Sequence, residues 1–239
     1  MMIASGLLTG SHLTKRFGGI VAVNDLSISI NLLEIKCVIG PNGAGKSSLF
    51  NLLCGALRPD SGELMFKGHS LSRLALHEIS RIGIARKFQV PSIFESLSVQ
   101  QNLEVSVLKP QSKFELKDRV DQMLDRIEQS DMRDQFAGNL AHGQKQWLEI
   151  GMALMSEPEV LLLDEPTAGM TIDETLDTVK FIHQLSDHAA ILVIEHDMNF
   201  VRALGCHTYV MHQGGIIADG PFSGIENDDL VQAVYLGKM

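Results

Sequence analysis

The chain of 239 residues has little of what several function classes require. Positive charge is scarce: 20 Lys and Arg stand against 29 Asp and Glu, a formal net charge of −9. Aromatic residues make up only 5%. Together these deficits exclude the basic, ring-lined groove that holds nucleic acid, so no nucleic-acid partner is expected. The three cysteines, Cys37, Cys54 and Cys206, form no metal-ligand spacing, and their odd number argues against a disulfide framework. Each sits among apolar residues and reads as a small core side chain. No apolar run reaches the roughly 18 to 20 residues that span a bilayer. Residues 1–10 lack the basic start of a secretion signal, so a cytosolic chain is expected.

What is present is a phosphate-cradling pattern. Gly40-Pro41-Asn42-Gly43-Ala44-Gly45-Lys46-Ser47 fits G-x-x-x-x-G-K-[S/T] at every required position, and Ser48 follows. Its glycines let successive N–H groups turn inward around phosphate oxygens, and Lys46 adds a mobile positive charge. The Ser47 hydroxyl is suited to a Mg²⁺ shell. Ile35 to Ile39 before the loop reads as a strand. A helix should then run from the loop to about Ala56, directing its positive end at the phosphates. A flexible glycine turn would explain neither Lys46-Ser47 nor these flanks.

Other segments take their places around the loop. Ile20 to Val23 and the alternating Leu26 to Ile30, broken at Asn24-Asp25, suggest an antiparallel flank. Phe17, after Lys15-Arg16 and before two glycines, is a candidate either to stack on a base or to pack into a core. Ile84 to Phe88 reads as a buried strand ending at Gln89. Ser98-Val99-Gln100-Gln101 is a helix-opening capping box, and Leu116, Val120, Met123, Leu124 and Ile127 form one face of a second helix. Residues 92–139 are therefore expected to be a helical subdomain inserted into a core of 1–91 and 140–239. A helix opens near Leu140-Ala141-His142-Gly143-Gln144, with Trp147 packing behind it. Val160 to Leu163 reads as a strand buried on both faces that delivers Asp164-Glu165 at its end. Leu176, Val179, Ile182 and Leu185 mark a further helix, and Ala190 to Ile194 a core strand ending in Glu195-His196-Asp197.

In an open α/β sheet, ligands bind beyond the carboxyl ends of the strands, so Lys46-Ser47, Asp164-Glu165, His196 and Gln89 can converge. The reaction suited to them is nucleoside triphosphate hydrolysis. Ser47, Asp164 and Gln89 are the metal candidates, Lys46 the phosphate clamp, Glu165 the general base and His196 a γ-phosphate contact. The other histidines form no ligand cluster for another metal.

These motifs, in this order and over nearly the whole chain, resemble the ATP-binding-cassette (ABC) ATPases. The resemblance implies the P-loop NTPase α/β fold: a mainly parallel sheet, an N-terminal antiparallel β subdomain and an inserted helical subdomain. It also implies ATP and Mg²⁺ as ligands, and a head-to-tail pair of cassette subunits. In that pair Ala141, Gly143 and Gln144 of one subunit close over ATP held by the phosphate loop of the other. Phe17 matches the family's adenine-stacking ring, and residues 89–97 with the helical block match the surface that receives a permease. Two departures stand out: His142 replaces the first glycine of the L-S-G-G-Q stretch, and Thr171 replaces an aspartate after Thr167-Ala168-Gly169-Met170. Arg86-Lys87-Phe88-Gln89, Gln144-Lys145-Gln146-Trp147 and Gly169-Met170-Thr171 are similar to the branched-chain amino-acid and urea uptake transporters, the urea branch most of all. Expected partners are thus a second cassette subunit, membrane permeases and an external binding protein, with the chain peripheral at the cytoplasmic face of the inner membrane.

Overall fold

The computed structural model describes residues 6–87, 92–108 and 112–235. The chain opens with β1 (Leu8–Phe17), β2 (Ile20–Ile30), β3 (Ile35–Ile39), α1 (Lys46–Leu53), β4 (Ser61–Phe66) and the short β5 (His69–Ser70). Next come α2 (Leu76–Arg81), β6 (Ile84–Lys87), α3 (Val99–Val105), α4 (Lys113–Arg126), α5 (His142–Leu154) and β7 (Val160–Asp164). The remainder is α6 (Ile172–Ser186), β8 (Ala190–Ile194), α7 (Met198–Leu204), β9 (His207–His212), β10 (Gly215–Pro221), α8 (Phe222–Ile225) and α9 (Asp229–Tyr235).

Two sheets result. The first is antiparallel in the order β2-β1-β4-β5. The second runs β10-β9-β3-β8-β7-β6, in which β10 alone is antiparallel to its neighbour. The expected α/β class, with a mainly parallel sheet and an antiparallel flank, is therefore observed. Continuous apolar runs in β7 and β8 follow from this order, because central parallel strands are covered on both faces. Side chains alternate between two cores: Leu161, Leu163, Ile191 and Val193 enter one, while Val160, Leu162, Leu192 and Ile194 enter the other. The first core also takes Val99, Leu103, Val120, Met123, Leu124 and Ile127. Helices α3 and α4 thus share a core with the parallel sheet rather than building their own.

The capping boxes are as read: Ser98 accepts from the Gln101 N–H at 3.1 Å, and the Gln101 side chain accepts from the Ser98 N–H at 2.9 Å. Three local expectations are corrected. Helix α1 ends at Leu53, before Ala56, because Gly55 adopts φ +76° and turns the chain out of the helix. Asn24-Asp25 does not break β2. It forms an irregularity opposite β1, where Asp25 (φ +48°) and His12 (φ +52°) face each other and join through His12 Nδ1 and Asp25 Oδ1 at 2.8 Å. Leu176 is 45% exposed, and Phe181 takes the inward place with Val179, Ile182 and Leu185. A strict three-residue step drifts around a helix of 3.6 residues per turn, so its first member leaves the buried stripe.

Candidate functional site

Strand β3 feeds the phosphate loop and α1 begins at Lys46, so the strand, loop and helix order expected from the sequence is present. The loop is braced by neighbouring backbone. At Gly45 (φ +103°) a Cβ would meet the Ala22 carbonyl oxygen at 2.0 Å, and at Gly40 (φ +155°) the Met211 carbonyl oxygen at 2.3 Å. Glycine is thus required twice, by backbone angle and by close approach. The Ala44 carbonyl accepts from the Gly214 N–H at 2.9 Å, which pins the loop's middle.

Lys46 is 7% exposed, and its Nζ donates to the carbonyls of Gly40 at 2.7 Å and Pro41 at 3.1 Å. Burial pulls its pKa below the ordinary lysine value, while Glu165, Asp164 and Glu195 pull it back up. Its ammonium is therefore held at the loop by charge as well as by hydrogen bonds. A cleft of about 640 Å³ opens here, lined among others by Asn42, Gly43, Gly45, Lys46, Ser47 and Glu165. That volume lies within the range of small-molecule sites.

Strand β7 delivers Asp164 and Glu165 beside the loop. Asp164 is 4% exposed, and its Oδ2 accepts from Arg86 Nη2 at 2.7 Å. Arg86, on β6, also donates through Nη1 to Asn51 Oδ1 of α1 at 2.6 Å. One guanidinium therefore links three elements around the carboxylate. Glu165 sits at φ +46°, a left-handed conformation that costs a non-glycine residue of order 1–3 kcal/mol. Its N–H donates to the Ile194 carbonyl at 3.0 Å, so pairing with β8 maintains the bend. This bend turns Glu165 out of the strand's in-and-out alternation, and its Oε1 lies 3.4 Å from His196 Nδ1. His196 presents a side chain that is 58% exposed.

The structure thus brings Lys46, Ser47, Asp164, Glu165 and His196 to one end of the parallel sheet. Phe17 closes β1 and is 46% exposed, with Lys15 Nζ 5.8 Å from its ring centre. It pairs with Ile20, and Ile20 rather than Phe17 lines the cleft. Gln89 lies outside the described residues. Ala141, Gly143 and Gln144 are not part of the cleft. They stand at the start of α5, where Gln144 Oε1 accepts from the Ala141 N–H at 2.9 Å. Gly143 and Gln144 line a separate groove with Trp147 and Glu174. Trp147 stacks on Phe181 at 5.1 Å and donates Nε1–H to Thr178 Oγ1 at 3.1 Å, which is the packing role expected of it.

The donor set suits a nucleotide with magnesium. Mg²⁺ takes few protein ligands and shares phosphate oxygens and waters, so a Ser47 hydroxyl and an Asp164 carboxylate suffice. Among the described residues no group of three or more His, Cys, Asp or Glu could hold a metal ion by itself. Sequence reasoning gave no role to Arg86 or Glu195, and the only signal for either was its place beside a motif residue.

Comparisons with known proteins agree with this fold. Residues 23–168 match the family model described as ABC transporter. The chain is 36% identical to the high-affinity branched-chain amino acid transport ATP-binding protein LivG of Escherichia coli (strain K12), over 97% of this chain and 98% of that protein. It is 35% identical to the corresponding protein BraF of Pseudomonas aeruginosa, again over 97% and 98%. Among solved structures it superimposes with a TM-score of 0.87 on the ADP conformation of an ATP-binding cassette of an ABC transporter. That match is 30% identical and covers 97% of this chain and 98% of the other.

Proposed function

The chain belongs to the ABC transporter family, and from that premise we propose how its residues divide the work of ATP-driven import. It is an ATP-binding, ATP-hydrolysing transporter subunit. In our reading the residues from Gly40 to Ser48 cradle the phosphates, with Lys46 on the β and γ oxygens and Phe17 flanking the base. Ser47 and Asp164, with Gln89, would hold Mg²⁺, which when bound neutralises phosphate charge. Arg86 fixes the Asp164 carboxylate in place. Glu165 orients a water on the γ-phosphate and takes its proton, and His196 contacts the γ-phosphate from the other side. The observation that carries this reading is the bent Glu165, held by β8 within reach of His196 in the cleft of the phosphate loop.

Ala141, Gly143 and Gln144 lie outside that cleft, which supports their acting on ATP bound by a second cassette subunit. The domain reading stands with this proposal: 92–139 is the helical subdomain, and its surface with residues 89–97 receives the permease. Among the described residues no helix is long and apolar enough to cross a membrane. Transport therefore calls for separate permeases and an external binding protein, with this chain at the cytoplasmic face of the membrane.

The cargo we favour is a branched-chain amino acid, because LivG and BraF carry that name over nearly their full length. This replaces urea as the leading reading. Urea keeps support from Lys87-Phe88-Gln89, Gln144-Lys145-Gln146-Trp147 and Gly169-Met170-Thr171, which are similar to the urea branch.

Glu165→Gln tests the catalytic reading: ATP binding should persist while turnover falls by roughly two to four orders of magnitude. Near-normal turnover would remove Glu165 as the base. For cargo, ATPase of the transporter in lipid is measured with its binding protein, adding leucine or urea. Stimulation by leucine alone supports the favoured reading, and stimulation by urea alone overturns it.

A further inference from the structure

Glu195 follows β8 and is 1% exposed, yet the chemistry assigned above makes no use of it. Both of its oxygens are engaged. Oε1 accepts from the Thr167 hydroxyl at 2.6 Å and from the Thr167 N–H at 3.3 Å. Oε2 accepts from the His196 N–H at 3.0 Å and from the Asp197 N–H at 3.5 Å. One buried carboxylate thus ties the loop after β7 to the loop that carries His196. Bonds to an ionised acceptor are stronger than neutral ones, and removing the acceptor would strand buried donors.

The loop after β7 is also held from the opposite side. His142 Nε2 lies 2.8 Å from the Ala168 carbonyl oxygen. A carbonyl only accepts, so this contact places a proton on Nε2. Next in the chain, a Cβ on Gly169 would come within 3.1 Å of the same ring atom, so the loop lies flat against the imidazole. Thr171, at the position where the family resemblance leads one to expect an aspartate, turns its hydroxyl to the cap of α6 instead, accepting from the Glu174 N–H at 3.4 Å.

We propose that Glu195 and His142 are positioning residues that clamp residues 167–169 from two sides, so that the His196 loop of one ATP site and the α5 start serving the other shift together. This rests on the composite-site reading above. The clamp gives His142 a purpose that a glycine at that position could not serve. It also links the two sites through residues of a single chain: α5 start, His142, Ala168, Thr167, Glu195, His196.

Amide hydrogen exchange on the nucleotide-free full chain reads the clamp without any turnover. In Glu195→Gln, exchange across 165–169 and 195–197 should accelerate about tenfold or more while the core strands stay protected. His142 is exposed, so His142→Phe keeps the fold and should accelerate exchange across 167–169 alone. In MgATP assays both variants should lower kcat at least about threefold, hold the MgATP dissociation constant within about twofold, and bring the ATP Hill coefficient toward one. Glu195→Ala removes the acceptor that the Thr167 hydroxyl uses, so adding Thr167→Val to it should cost nothing further. Unchanged exchange at 167–169 in His142→Phe, an unchanged kcat in both variants, or additive loss in the double variant would overturn the clamp. Wild-type binding and hydrolysis of MgATP test the underlying site reading separately, because the exchange experiment contains no nucleotide.

Discussion

Around the phosphate loop, the charged groups are buried and already engaged: Lys46 by two loop carbonyls, Asp164 by Arg86. At the start of α5 the residues assigned to ATP recognition are built differently. Ala141 is exposed and caps the helix with no side-chain hydrogen bond, and Gly143 and Gln144 line a groove separate from the phosphate-loop cleft. The first region's geometry is held by bonds within the chain, which is what electrostatic preorganisation requires. On the proposed reading, the second acts when a second cassette subunit meets it. A cassette divided in this way should bind nucleotide alone and assemble its full reaction site only on association.

Substitutions can break either side of that contrast. The largest effect belongs to the buried side: Arg86→Ala leaves the Asp164 carboxylate buried without its guanidinium and should destabilise the fold by about 3–5 kcal/mol. Denaturant unfolding measures it. Lys46→Ala comes next, removing a charge-assisted contact to phosphate worth about 1.5–3 kcal/mol. Isothermal titration with MgATP should show a loss of about 10- to 100-fold. On the exposed side the effects are smaller. Thr171→Ala removes the cap of α6 and should cost about 1 kcal/mol, whereas Thr171→Ser, which keeps the hydroxyl that accepts from the Glu174 N–H and donates to its carboxylate, should leave the midpoint of unfolding nearly unchanged.

The Thr171→Ala difference also carries a pH signature. The Thr171 N–H and hydroxyl hold the Glu174 carboxyl below its ordinary pKa. A carboxyl with a lowered folded pKa adds stability above its unfolded pKa of about 4.3, and that contribution is lost as the pH falls through the folded value. The gap between wild type and Thr171→Ala should therefore be full at neutral pH and narrow in acid. A gap that is constant down to pH 3 would detach Glu174 from the cap.

The parts of the molecule that were legible in the sequence are those written in short-range pattern. The phosphate loop with its flanks, the double-faced apolar runs of β7 and β8 and the Ser98 and Gln101 capping box all express local rules. Parts set by strand order were not legible. Arg86 meets Asp164 across 78 residues because β6 lies beside β7, and Thr167 meets Glu195 across 28 because β7 lies beside β8. His142 reads in sequence as a lost glycine, and only the fold shows its ring on the Ala168 carbonyl 26 residues away. Helix ends were blurred for another reason. The exit of α1 is decided by a single left-handed glycine, and apolar Leu57 beyond it extends the helical pattern past the true end.

The claim that the phosphate loop is half of a site is tested most directly by mass in solution. Glu165→Gln, which should hold ATP without consuming it, is measured by light scattering with and without MgATP, alone and combined with Ala141→Asp. Aspartate is a better helix cap than alanine, so the second change should stabilise α5 while placing negative charge where it would face a partner's phosphates. Glu165→Gln should pass from monomer to dimer when MgATP is added, and the double variant should bind MgATP yet remain monomeric. A double variant that dimerises as readily as Glu165→Gln, or a Glu165→Gln chain that binds MgATP and stays monomeric, would contradict the account.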